Sequence, residues 1–302
     1  MIMTHRFTPI LIIFALLGLA SFAEAKKGAG VNEYKKGNEL FDQQQYDQAI
    51  AEFTKAIQAD PKQADYYTNR GFAYLHVNKL NEAVDDFTKA IELDDKQFGA
   101  YIGRAQVYLA QRFWDQALSD TEHVVQIKPD QSVGYKFRGL AEIGLNQWDK
   151  AVADLTIAIE KDPNDLQNYE RRAFAYRGLK NYQAAIADCN VVLEKNPNDF
   201  DALTNRGYIY NLMKDYEKAI ADFQAALKIK PDDYGTIQNL QYAQQNLAAK
   251  NAPPPTPTPT PVEHTFVTPV NIVIAIVVIL IIAVVVRLLT RGKEEPTSGR
   301  IR

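Results

Sequence analysis

Apolar and polar positions along the middle of this chain repeat in two registers at once. Within short stretches the apolar residues follow helical spacing, as at Tyr46, Ala49, Ile50, Phe53, Ala56 and Ile57, a stripe wide enough for a helix packed on two neighbours. Across stretches, the whole pattern returns every 34 residues. An alanine recurs at Ala49, Ala83, Ala117, Ala151, Ala185 and Ala219, and a small residue recurs at Gly71, Ala105, Gly139, Ala173 and Gly207. The stretches end at Asp60-Pro61, Lys128-Pro129, Asp162-Pro163, Asn196-Pro197 and Lys230-Pro231, with Asp94-Asp95 on the same stride but lacking the proline. Proline disfavours the helical conformation in the residue before it and cannot continue the hydrogen-bond ladder, so each such dipeptide separates one helical hairpin from the next. Six helix-turn-helix units are written between about Gly30 and Pro231. One unit alone cannot bury its apolar face, so stability has to come from stacking.

The residues inside each unit carry a family resemblance. A small residue is followed three positions later by tyrosine (Gly71/Tyr74, Ala105/Tyr108, Ala173/Tyr176, Gly207/Tyr210), then by the recurring alanine and a phenylalanine four residues on (Ala49/Phe53, Ala83/Phe87, Ala219/Phe223). This resembles the tetratricopeptide repeat (TPR) over residues 30 to 231. Glu142 departs from the pattern by replacing a tyrosine, and Thr121, Leu155 and Cys189 by replacing the phenylalanine. The resemblance implies an all-α fold, a right-handed superhelical solenoid of six units at about 30–63, 64–97, 98–131, 132–165, 166–199 and 200–233. Asp232 and Asp233 supply a helix cap for a further, glutamine-rich capping helix over 232–249.

Outside a repeat domain of 26–250, two apolar runs change the picture. The first, Phe7 to Phe22, follows Arg6 and precedes Ala23-Glu24-Ala25, the layout of a secretory signal peptide over 1–25, with an uncleaved membrane anchor as the alternative; either way the following domain is exported. After the repeats, a Pro/Thr-rich linker over 251–268 can form neither helix nor ladder and favours an extended conformation. The second run fills 269–289, long enough to cross a bilayer. Arg291, Lys293, Arg300 and Arg302 follow it in a basic tail over 290–302, which the positive-inside rule keeps in the cytoplasm. Signal and span agree on one topology, a single-pass membrane protein with repeats outside and tail inside. None of the asparagines stands in an Asn-x-Ser/Thr sequence, which points to a bacterial cell envelope.

Charge narrows the partners. Residues 26–252 hold 28 Lys or Arg against 33 Asp or Glu, without the clustered positive excess of a nucleic-acid surface. The four histidines His5, His76, His123 and His264 are too scattered for a metal site, and neither a Gly-rich phosphate loop nor a nucleophile elbow is present. Cys189 falls inside an apolar stripe, the place of an inert buried thiol. The chain therefore reads as a non-enzyme with no cofactor and no metal.

Two sets of polar residues keep the stride. Arg70, Arg104, Arg138, Arg172 and Arg206 each stand 16 residues before Asp86, Asp120, Asp154, Asp188 and Asp222. This spacing predicts an internal ladder of arginine-aspartate pairs across each hairpin. TPR stacks line their inner surface with the first helix of each unit, so the resemblance places Asn38, Asn69, Phe72, Leu75, Ile102, Gln106, Phe174 and Tyr208 in a partner-binding groove. Leu109, Leu140 and Ile143 are open to the same reading or to simple helix packing. The carboxylate clamp of chaperone-binding TPR domains is matched only at Asn38 and Asn69; Tyr34, Gly99 and Gly103 stand where its cations belong. The expected function is a protein-protein interaction scaffold that takes a peptide or protein partner, anchored to a membrane by one helix. A self-associating envelope element, or a non-catalytic subunit of an envelope enzyme complex, is the alternative.

Overall fold

The computed structural model describes Gly28, residues 30–252 and residues 269–290. The expected signal peptide, most of the linker and nearly all of the tail lie outside the described residues. Every element among the described residues is helical. Six hairpins follow one another: α1 (Val31–Asp42) with α2 (Tyr46–Ala59), α3 (Ala64–His76) with α4 (Leu80–Leu93), and α5 (Phe98–Ala110) with α6 (Trp114–Ile127). Then come α7 (Ser132–Gly144) with α8 (Trp148–Lys161), α9 (Leu166–Gly178) with α10 (Tyr182–Lys195), and α11 (Phe200–Leu212) with α12 (Tyr216–Ile229). α13 (Tyr234–Asn251) closes this body, its first turn capped by Asp233, whose carboxylate accepts from the Thr236 N–H and hydroxyl. Ala243 of α13 is buried against Tyr216, Ala219 and Phe223.

Each hairpin turns in the same way without glycine. Gln44, Asn78, Arg112, Asn146, Lys180 and Lys214 take φ between 57° and 62°, the left-handed region. In the first, Gln45 N–H donates to the Leu40 carbonyl and Gln44 N–H to that of Phe41. The same two bonds recur in every unit and end the first helix in a Schellman motif. Six left-handed non-glycine residues cost backbone energy, which the packing of the two helices has to offset.

The core is a row of small clusters between hairpins. Phe53, Phe87 and Phe223 are fully buried, and each ring lies over a glycine of the facing helix. A Cβ at Gly71 would sit 2.8 Å from Phe87 Cε1, and one at Gly207 would sit 2.9 Å from Phe223 Cε1. Where the ring is replaced, the residue at the glycine's place changes in two of three units: Ala105 stands there in the unit of Thr121 and Ala173 packs with Cys189, while Gly139 still lies against branched Leu155. At two of these three places a smaller side chain on the second helix thus goes with a larger residue on the first, the direction that close packing requires.

Consecutive first helices (α1, α3, α5, α7, α9, α11) touch one another directly, and among the described residues no such contact joins consecutive second helices. Closer spacing on the first-helix side bends the stack, so that side is concave. A separate unit contains α14 (Pro269–Thr290), 22 residues long, apolar enough to cross a membrane and exposed along its whole length.

Candidate binding groove

The five Arg-Asp pairs have the same geometry. Arg70 Nε and Nη2 donate to Asp86 Oδ2 and Oδ1 at 2.7 and 2.8 Å. Arg104, Arg172 and Arg206 bind Asp120, Asp188 and Asp222 in the same two-pronged manner, and Arg138 binds Asp154 likewise. The free Nη1 reaches back to the second helix of the preceding unit: Arg70 to Thr54, Arg104 to Thr88, Arg172 to Thr156, Arg206 to Asn190. Those four arginines therefore tie three helices each, not the two that the spacing predicts, while Arg138 joins the two helices of its own hairpin. Tyrosine rings flank the guanidinium, as Tyr67 and Tyr74 do around Arg70 at 5.8 and 5.7 Å. In the first unit Lys36 and Glu52 stand at the equivalent positions and form a bridge of 3.0 Å. All five aspartates are buried. The ladder is internal and leaves no row of free cations for a ligand.

The concave face carries a different set. Near its start Asn69 Nδ2 donates to Asn38 Oδ1 at 2.7 Å and to the Tyr34 hydroxyl at 2.9 Å. These asparagines border a concavity of about 620 Å³, with Phe41, Phe72, His76 and Gln106 among its walls. His76 stacks on Tyr46 at 4.4 Å and meets Phe41 edge-on. Phe72 leans edge-on against buried Phe87, and Leu75 packs on the same cluster, so both are anchored at one side and open at the other. Ile102 departs from its expected place. It is 7% exposed and packs with Tyr101 and Val124, because the next hairpin closes over that face of α5. Leu109, Leu140 and Ile143 are half-buried.

Further along, Phe174 and Tyr208 are 36% and 38% exposed. Arg177, which the repeat pattern did not single out, lies between them, 4.3 Å from the Phe174 ring centre and 4.9 Å from that of Tyr208. Its Nη1 donates to Asn205 Oδ1 at 3.2 Å. For Arg70, Arg104 and Arg172, burial works against the charge and the aspartate overcomes it. For Arg177 burial wins and lowers its pKa, only weakly opposed by Tyr208 and Cys189. Tyr208 also borders a second concavity of about 330 Å³ with Asn211, Tyr216, Asn239 and Tyr242. Cys189 is buried, and desolvation pushes its thiol up to about 12, too high for nucleophilic work near neutral pH.

A stack of paired helices that presents aromatics, amides and Arg177 on its inner face belongs to the class of helical-repeat scaffolds. Family patterns described as TPR repeat or tetratricopeptide repeat match residues 37–78, 64–97, 138–199 and 200–233. The chain belongs to the tetratricopeptide repeat family. Solved structures agree. YrrB, described as a TPR protein with an unusual peptide-binding site, is similar at 26% identity over 64% of this chain and 97% of its own, with a TM-score of 0.54. PilF of Pseudomonas aeruginosa is similar in fold, with a TM-score of 0.62 at 14% identity over 73% of this chain and 99% of its own. A tetratricopeptide repeat protein from Parabacteroides merdae matches at 18% identity and a TM-score of 0.54, over 71% and 84%. No curated protein matches the chain.

Proposed function

We propose that this protein is a non-enzymatic scaffold displayed on the outer side of a membrane, where the concave face of its repeats takes an extended or helical peptide segment of a protein partner. The observation that carries the reading is the pair Phe174 and Tyr208, large rings left open on the inner face while every ring of the recurring phenylalanine position is buried. Exposed aromatics on a rigid support lose little entropy on binding and are the usual anchors of an interface. The side-chain amides of Asn38, Asn69 and Gln106 suit a peptide backbone that needs donors and acceptors. The peptide-binding site described for YrrB supports the same use of a similar stack. Placement outside a membrane rests on the apolar α14 and on the charges that follow it in sequence.

Capture from detergent-solubilised native membranes with the tagged full chain tests the reading. Changing Phe174 and Tyr208 together to Ala is expected to weaken partner retention by ~2 kcal/mol or more while helical content and melting stay nearly constant. Undiminished capture by the variant would move the interface off the concave face.

A further inference from the structure

Among the described residues Arg177 has no partner of opposite charge. Every other arginine of the array that is withdrawn from water meets a carboxylate, at Asp86, Asp120, Asp154, Asp188 or Asp222. Arg177 meets two aromatic faces and one amide oxygen. Rings and amide hold the guanidinium against the open wall formed by α9 and α11, and the bond to Asn205 uses Nη1 alone. A shallow concavity of about 230 Å³ opens there, with Thr204, Asn205, Tyr208 and Asn239 in its walls. Asp233 borders the same concavity, where its Oδ2 accepts from the Thr236 N–H and hydroxyl at 2.9 and 2.7 Å and forms no ion pair with Arg177. A cation taken partly out of water and left uncompensated is costly, and the cost is recovered when an anion arrives with the matching planar geometry.

We propose that the partner segment carries a carboxylate that docks on Arg177, between Phe174 and Tyr208. This deepens the groove reading and rests on it. The surrounding array is net acidic, so one local cation selects a single acid placed beside an apolar or aromatic residue and turns away a polyanion. Neighbouring amides at Asn205 and Asn239 face the backbone of such a segment. The position lies in the fifth and sixth units, away from Asn38 and Asn69.

The test uses the full chain in detergent micelles and, as probe, a displayed library of random linear peptides, followed by binding measurements on synthetic peptides taken from the selection. Selected peptides should share an Asp or Glu at a fixed step from an apolar residue. Their affinity should fall about tenfold or more with Arg177→Met, and by a like factor when their acid is changed to the amide. The two losses should not add, because both remove the same contact. Arg177→Lys should keep part of the affinity, and melting of the protein should hold in each case. Should Arg177→Met fail to fold, the lysine variant and the amide peptides decide alone. Peptides that weaken with Tyr208→Ala but show no acid preference and ignore Arg177→Met would overturn the carboxylate proposal and leave the groove standing. An empty selection, or peptides indifferent to both Tyr208→Ala and Arg177→Met, would overturn both.

Discussion

Glu142 occupies the place that tyrosine holds at Tyr74, Tyr108, Tyr176 and Tyr210, and there it is 5% exposed with nothing donating to its Oε2. Gln147, whose N–H bonds to the Glu142 backbone carbonyl, has a buried Oε1 in the same condition. Desolvation, with Asp154 adding to it, pushes the Glu142 carboxyl up to about 7 from an ordinary 4.5. A folded-state pKa raised for an acid means that the folded protein holds the proton more tightly than the unfolded chain. Stability is therefore greatest below 4.5, falls as pH rises from 4.5 to about 7, and is level above. Glu142→Gln removes the titration while keeping the shape. We expect wild type to lose about 2 kcal/mol more than the variant between pH 5 and pH 8 in urea unfolding. Parallel pH dependences for the two proteins would contradict this. The substitution at position 142 was legible in the sequence, but its burial was not, since a single glutamate on a helix is ordinarily solvated. Arg177 was illegible for a related reason: a reading built on recurrence finds what repeats, and Arg177 stands where Phe41, Leu75, Leu109, Ile143 and Asn211 stand in other units.

Among elements, the hairpin was legible because its apolar spacing and proline stops are local, and the fixed offset of 16 residues announced a contact between its two helices. The reach of Nη1 to the preceding unit was hidden, because Thr54, Thr88 and Thr156 give way to Asn190 and, beside Arg138, to Glu122. The first rung lies outside the recurring pattern because Lys36 and Glu52 change both residue types. The closing turns were equally hidden, with Gln, Asn, Arg and Lys taking the left-handed place that glycine usually marks. These contacts predict unequal costs along the ladder. Replacing Arg104 with Met leaves Asp120 buried without its partner and frees Thr88, and should cost ~3 kcal/mol or more by denaturant unfolding. Arg138→Met, with no threonine bond to lose, should cost about 1 kcal/mol less. Full stability in the Arg138→Met protein would show that the ladder does not hold the hairpins.

At the scale of the whole molecule, the number of stacked hairpins followed from a period, whereas the binding face depends on how the stack curves. Curvature comes from the close approach of consecutive first helices, a sum over all the contacts between units that no single stretch encodes. Ile102 illustrates the gap: its place on α5 suited an inner wall, yet the next hairpin covers it, while Phe174 and Tyr208 on equivalent helices stay open. What a groove binds also depends on what it meets, so the side of the membrane on which the repeats stand governs every reading of their partner. Protease added to intact cells, or to spheroplasts where an outer layer shields the surface, measures this directly. We predict that the repeat domain is cut away near the Pro/Thr-rich segment while an epitope on the C-terminal tail stays with the membrane. A repeat domain that survives while a known external protein is digested would place it inside and contradict the account.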